Sequence, residues 1–223
     1  MVKFRKGKMK EKILLDTDIG SDIDDAIALA YLLSNPECEL AGITTVSGKV
    51  EERCMIADVI CRKAGKNIPI LPGARDPIMI EQRQKDVPQS KALSRFDYTT
   101  SYPVGEAIGF MRKTIRENPN QIILLTIGPL TNIALLFKVD PEIPSLLKGL
   151  HCMAGWFFNE KRGVEWNIGC DPHAFYIVNK TEMTAKYVGL DVTRKAKLHR
   201  DRIREEFKKH SLLSVVLEFA EVW

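Results

Sequence analysis

The chain has 223 residues, 45% of them apolar and 28% charged, with a net charge of +4. That length suffices for one large domain with a sizeable core, and the small net charge sets aside nucleic acid as the main partner. No run approaches the apolar length of a membrane span and no apolar segment follows the basic start, so neither a transmembrane helix nor a signal peptide is expected. Five cysteines (Cys38, Cys54, Cys61, Cys152, Cys170) lack paired metal spacing and mostly sit in apolar contexts, as reduced thiols of a cytoplasmic protein would.

Lys3, Arg5, Lys6, Lys8, Lys10 and Lys12 give a basic opening, read as a frayed terminus. An apolar run over 13–15 then predicts a strand ending at Asp16, Gly20 turns the chain, and a helical pattern covers 25–33. A strand over 40–46, a helix over 51–64 and a strand over 68–71 follow, with breaks at Asn35-Pro36 and Gly65. The stretch 73–103 is polar and weakly periodic, the composition of a lid or a disordered loop. Beyond it lie a helix over 104–117, a strand over 122–127, a helix over 131–137, a strand over 149–153, a helix over 171–178 and a strand over 185–190. Asp171-Pro172 reads as an N-cap followed by proline at the first helical position. The alternation implies βαβ units: an α/β fold with an open, mostly parallel sheet flanked by helices, one domain over 1–223. In such sheets ligands sit beyond the carboxyl ends of the strands, which gathers the 16–25 loop, 45–49, 127–129, 154–159 and Asp191 on one rim.

Five aspartates, Asp16, Asp18, Asp22, Asp24 and Asp25, fall in that first loop. Two like charges about 4 Å apart cost about 4 kcal/mol at an effective dielectric near 20, so protonation or a cation must relieve the crowding. All-oxygen ligands favour a hard ion, Ca²⁺ or Mg²⁺. Asp24 or Asp25 singly could be an N-cap, but capping leaves Asp16 and Asp18 unexplained. An EF-hand fails because Gly20 and Ile27 stand where oxygen ligands are needed. An aspartyl-phosphate phosphatase would use Asp16 and Asp18 but has no need of Asp24-Asp25.

Glu165-Trp166-Asn167, if extended, turns Glu165 and Asn167 to one side, where a carboxylate and an amide suit a polyhydroxylated ligand; Asn159 adds a third polar group. The alternative is that both polar side chains cap or solvate a loop. Trp156, Phe157 and Phe158 either stack on a planar base or plug the core.

Together these residues resemble the inosine–uridine-preferring nucleoside hydrolases. Asp16-Thr17-Asp18-Ile19-Gly20…Asp24-Asp25-Ala26 is similar to that family's opening signature. Gly42-Ile43-Thr44-Thr45-Val46, Thr126-Ile127-Gly128-Pro129-Leu130-Thr131-Asn132, Glu165-Trp166-Asn167…Asp171-Pro172 and Gly189-Leu190-Asp191-Val192-Thr193 match later motifs in order, across residues 12–195. The resemblance implies calcium-dependent hydrolysis of the N-glycosidic bond of ribonucleosides, in purine and pyrimidine salvage, by a homodimer or homotetramer. It implies Asp18 as calcium ligand and base for the attacking water, with Asp25 and the carbonyl of Ile127 as further ligands. Asp24, Asn159, Glu165 and Asn167 would hold the ribose, with Met153 against it.

The pattern departs from the family in three places. Asp22 sits in a spacing two residues longer between Asp18 and Asp24, and Lys49 replaces an asparagine, where it contacts ligand or faces water. No His-Asp-Pro segment follows Asp191; His199 and His210 lie in charged helical stretches, and His151 and His173 lack the required neighbours. The amphipathic stretch 212–223 ends at Trp223 without a stop signal, so its apolar face is expected to meet missing chain or another subunit. The expectation is a C-terminally truncated hydrolase, with a non-catalytic nucleoside or ribose binder as the alternative.

Overall fold

The computed structural model describes residues 10–158 and 163–222. Asn159, Trp223 and the basic residues Lys3, Arg5, Lys6 and Lys8 lie outside it. Six parallel strands form one sheet: β1 (Glu11–Thr17), β2 (Cys38–Thr45), β3 (Ile70–Pro72), β4 (Ile122–Thr126), β5 (Gly149–Met153) and β6 (Ala185–Val188). Their spatial order is β3-β2-β1-β4-β5-β6, so each half of the chain winds outward from the centre. The order reverses between β1 and β4, the position at which such folds leave a crevice.

Residues of β1 show why it is central. Leu14 and Leu15 are both fully buried and belong to opposite cores, because successive strand side chains point to opposite faces. On one face α1 (Asp24–Ser34) and α2 (Val50–Lys63) enclose Leu15, Leu29, Ile56 and Ile60. On the other, α3 (Ala107–Glu117), α4 (Thr131–Val139) and α5 (Ile143–Leu146) enclose Leu14, Met111, Ile115 and Ile133. The open parallel α/β sheet expected from the alternation is what the chain forms.

Short elements complete the second half: α6 (Trp166–Cys170), α7 (Pro172–Asn179), α8 (Leu190–Thr193), α9 (Arg200–Phe207) and α10 (Ser211–Ala220). Asp171 caps α7 as expected, accepting from Ala174 N at 2.9 Å. The C-terminal amphipathic stretch does not wait for a partner, which corrects the expectation. As α10 it folds back onto α1 and α2, burying Val215, Val216, Leu217 and Phe219. The Phe219 ring lies 5.5 Å from that of Phe96.

Residues 73–103 are also more fixed than their composition suggests. They contain a 3₁₀ helix at Pro88–Arg95 and bury Val87, Gln89, Ala92 and Leu93. Gln89 ties this segment to the aspartate loop twice: its N donates to the Gly20 carbonyl at 3.1 Å and its Nε2 to that of Asp22 at 2.8 Å. Gly20 adopts φ +108°, and a Cβ there would fall 2.5 Å from Val87 Cγ1, so only glycine permits this closeness.

Candidate active site

The aspartate loop leaves the end of β1 at the switch point. Asp16 pairs in register with Thr44 and Thr126 of the flanking strands and is fully buried. Its Oδ1 accepts from Thr44 Oγ1 at 2.5 Å and Asn132 Nδ2 at 2.7 Å, while Oδ2 has no partner. Burial pushes this carboxyl up to about 7 against the opposing pull of those two hydrogen bonds.

Asp18 follows, also buried. Desolvation raises its pKa, offset in part by the Arg53 charge and a hydrogen bond from Gln84. Gly128, just past β4, presses against it; a Cβ there would fall 2.8 Å from Asp18 Oδ1 and 2.9 Å from its backbone nitrogen. Neither Asp24 nor Asp25 caps α1, whose N-cap position is Ile23 without a side-chain bond. Thr17 Oγ1 donates instead to Asp25 Oδ1. Burial, then the charges of Asp18 and Asp24, raise Asp25 well above the carboxylate range; burial and Asp24 raise Asp22 to about 7.

Carboxylate oxygens of Asp22, Asp24 and Asp25 lie within 4.8 Å of one another. Three such oxygens, together with Asp18 on the same cleft, are a donor set that suits a hard divalent cation. The site therefore fits calcium on its own chemistry. Asp22, which the longer spacing adds to the loop, belongs to this group.

Beneath the loop lies Arg53, fully buried, which sequence reading did not single out. Its Nε donates to Ser47 O at 2.7 Å, and Nη1 to Ile19 O at 2.9 Å and to the Asp18 carbonyl. The guanidinium thus fixes the backbone that presents Asp18. Its signal was present: Arg53 sits on the stripe of Val50, Cys54, Ala57 and Ile60 that α2 turns to the core.

A cleft of about 670 Å³ opens above the strand ends. Asp18, Asp24, Asp25, Ile127, Met153, Glu165 and Asn167 all line it, so every sequence-predicted site residue within the described chain is brought together. Asn159 is not among the described residues. Arg83, Gln84 and Lys85, from the 73–103 segment, also line it and were missed, as were Asp86 and Pro88 beside them. Lys49 is drawn instead to Glu52 at 3.5 Å and Asp86 at 3.6 Å on the surface.

The Glu165-Trp166-Asn167 tripeptide is not extended. Glu165 is the N-cap of α6 and Trp166 its first residue. Glu165 Oε1 accepts from Asn167 N at 2.7 Å, and Oε2 from Ile168 N at 3.1 Å and Gly155 N at 3.2 Å. Asn167 Nδ2 donates to the carbonyls of Ile127 at 2.9 Å and Met153 at 3.0 Å. It therefore ties α6 to the ends of β4 and β5, and occupies one lone pair of the carbonyl expected to ligate calcium. Nor do the aromatic residues plug the core: Phe157 and Phe158 are exposed, their amides held by Asp191 at 2.9 and 3.0 Å.

A family model described as inosine-uridine preferring nucleoside hydrolase matches residues 13–222. The chain belongs to that family. Among its curated relatives, uridine nucleosidase 1 of Arabidopsis thaliana is 30% identical over 96% of this chain, which covers 67% of that protein. A pyrimidine-specific ribonucleoside hydrolase of Salmonella enteritidis is 32% identical over 84% of this chain, with 62% of its own length covered. For a probable uridine nucleosidase of rice (Oryza sativa) that share is 58%. The chain thus spans about six-tenths of the length of such nucleoside hydrolases. Among solved structures, an inosine-uridine preferring nucleoside hydrolase from Bacillus anthracis superposes with a TM-score of 0.79 at 22% identity, over 96% of this chain and 77% of that one. At that identity the likeness speaks for the shared nucleoside hydrolase fold.

Glu165→Ala separates capping from ligand binding. Loss of the cap is expected to cost about 1 kcal/mol of unfolding free energy, read from the urea midpoint. A ribose contact adds a rise in KM for nucleoside; an unchanged KM assigns Glu165 to capping alone.

Proposed function

We propose that this chain hydrolyses the N-glycosidic bond of ribonucleosides, releasing base and ribose, with calcium at the aspartate cluster. The carrying observation is the convergence of Asp18, Asp22, Asp24 and Asp25 on one cleft, three of them with carboxylate oxygens within 4.8 Å. Family membership supports the reaction class, and the nucleosidase names of the relatives support the substrate.

A bound divalent cation supplies charge neutralisation and Lewis acidity at this cluster. Asp22, Asp24 and Asp25 would hold it, with Asp18 and the second lone pair of the Ile127 carbonyl at hand. Cleavage builds oxocarbenium character on the ribose, which the acidic wall stabilises electrostatically. Asp18, held by Gln84 and by Arg53 beneath its carbonyl, takes the proton of the attacking water. Asp24, exposed at the opening of α1, meets the sugar hydroxyls. Met153 forms the apolar floor under the ribose. The five free cysteines suit a reducing compartment and support a cytoplasmic enzyme.

Purified protein incubated with inosine or uridine plus calcium should release ribose, and a chelator should abolish release. No ribose under either condition overturns the activity. One observation favours a second reading, a nucleoside or ribose binder without turnover: among the described residues that line the cleft there is no histidine to protonate the base. Calorimetric binding of ribose without hydrolysis would select it.

A further inference from the structure

Breaking the C1′–N bond leaves an electron pair on the base nitrogen. That nitrogen must be protonated as it departs, or its negative charge must be met by a cation. Besides its aspartates, the cleft is lined by two cations from the 73–103 segment, Arg83 and Lys85.

We propose that Arg83 is the residue that stabilises the departing base, as an anion, in the hydrolysis put forward above, on which this inference rests. Arg83 is held in place. Its Nη1 donates to the Gly169 carbonyl at 2.9 Å, and its guanidinium carbon lies 5.3 Å from the centre of the Trp166 ring. Position 169 must be small for this: a Cβ there would fall 2.9 Å from Nη1. Trp166 is 50% exposed and lines the same cleft, so the guanidinium lying over its ring gives the cleft a cationic and aromatic wall.

One of five N–H donors is spent on Gly169, which leaves a planar fork for the oxygen and nitrogen acceptors of a base anion. Arginine stays protonated at any working pH, so no proton passes from it. The bond electrons go to the base nitrogen, the water oxygen bonds to C1′, and the water proton goes to Asp18 and then to solvent. The base takes its own proton from solvent after leaving the guanidinium. Charge and atoms balance without a general acid in the cleft.

The inference makes leaving-group chemistry the test. The full chain with saturating calcium is compared with Arg83→Met on uridine, inosine and p-nitrophenyl β-D-ribofuranoside, whose phenolate departs without help. Loss of one preorganised charge contact costs about 10²–10³ in kcat, expected here for the nucleosides, with less than about tenfold change for the nitrophenyl riboside. Arg83→Lys, which keeps the charge and loses the fork, should fall between. Equal losses on all three substrates, or no loss on the nucleosides, overturn the proposal, as does the same selective loss in Lys85→Met. Binding of free p-nitrophenolate, read by tryptophan fluorescence quenching, gives a second measure that needs no turnover. Weaker binding in Arg83→Met supports the assignment and unchanged binding overturns it. Absence of hydrolysis in the wild type would sink the hydrolase reading and the role in departure with it, while an intact phenolate difference would still place Arg83 at an anion site.

Discussion

Replacing Asp18 by asparagine is expected to lower kcat for nucleoside hydrolysis by about 10³-fold, within the range of a positioned general base. The side chain is buried, so an isosteric amide keeps its volume, and Arg53 binds the Asp18 backbone carbonyl, which the change leaves in place. In the metal-free chain burial raises the pKa of Asp18, and its carboxylate, unlike an amide, can accept a proton. Asparagine removes that basicity and one of the like charges facing Asp25. Steady-state kinetics should therefore show the loss in kcat while the thermal midpoint of the metal-free protein holds or rises. A variant that keeps its kcat would remove Asp18 from the chemistry. A variant that unfolds would instead make the residue structural.

Much of this arrangement could be read from the chain because periodicity and motif coincide at the strand ends. The run Ile13-Leu14-Leu15 is apolar on both faces, as a central parallel strand must be, and the acidic residues begin where it stops. The rule that ligands sit beyond strand carboxyl ends then brought residues 102 positions apart, such as Asp25 and Ile127, to one cleft. What stayed hidden had no local signal. Arg83, Gln84 and Lys85 come from a segment without periodicity, and its position depends on Val87 packing at Gly20 and on Gln89 reaching the Asp22 carbonyl. Glu165 stayed open between capping and ligand contact because glutamate is not a preferred N-cap; three backbone donors converging on its carboxylate decide the conformation. The C-terminal helix was recognised as amphipathic, but no pattern in one helix says which face of the molecule receives it. The groove between α1, α2 and the 3₁₀ segment does.

The second large effect concerns stability without metal. Asp16 and Asp22 are raised from 3.8 to about 7 in the folded chain, both chiefly by desolvation, and Asp18 and Asp25 move in the same direction. A carboxyl with a raised folded pKa binds its proton more tightly folded than unfolded, so stability falls as pH climbs from about 4 through about 7. For fully buried Asp16 that shift corresponds to at most about 4 kcal/mol; exposed Asp22 adds far less because water screens it. Other groups act the other way, chiefly outside this window. Asp140, held below the usual range by hydrogen bonds from Arg116 and Arg112, loses its contribution only as pH drops below about 4, outside the window. His151, lowered by burial and by Lys186, opposes the trend weakly near neutrality. Chelated protein should therefore melt at a higher temperature at pH 5.5 than at pH 8. Calcium at a hundred times its Kd should return about 2.7 kcal/mol at pH 8, and less at pH 5.5, where protons compete for the same oxygens. A metal-free melting temperature that rises from pH 5.5 to 8 would mean that these carboxylates are solvated and apart, and the cluster would then have no need of an ion.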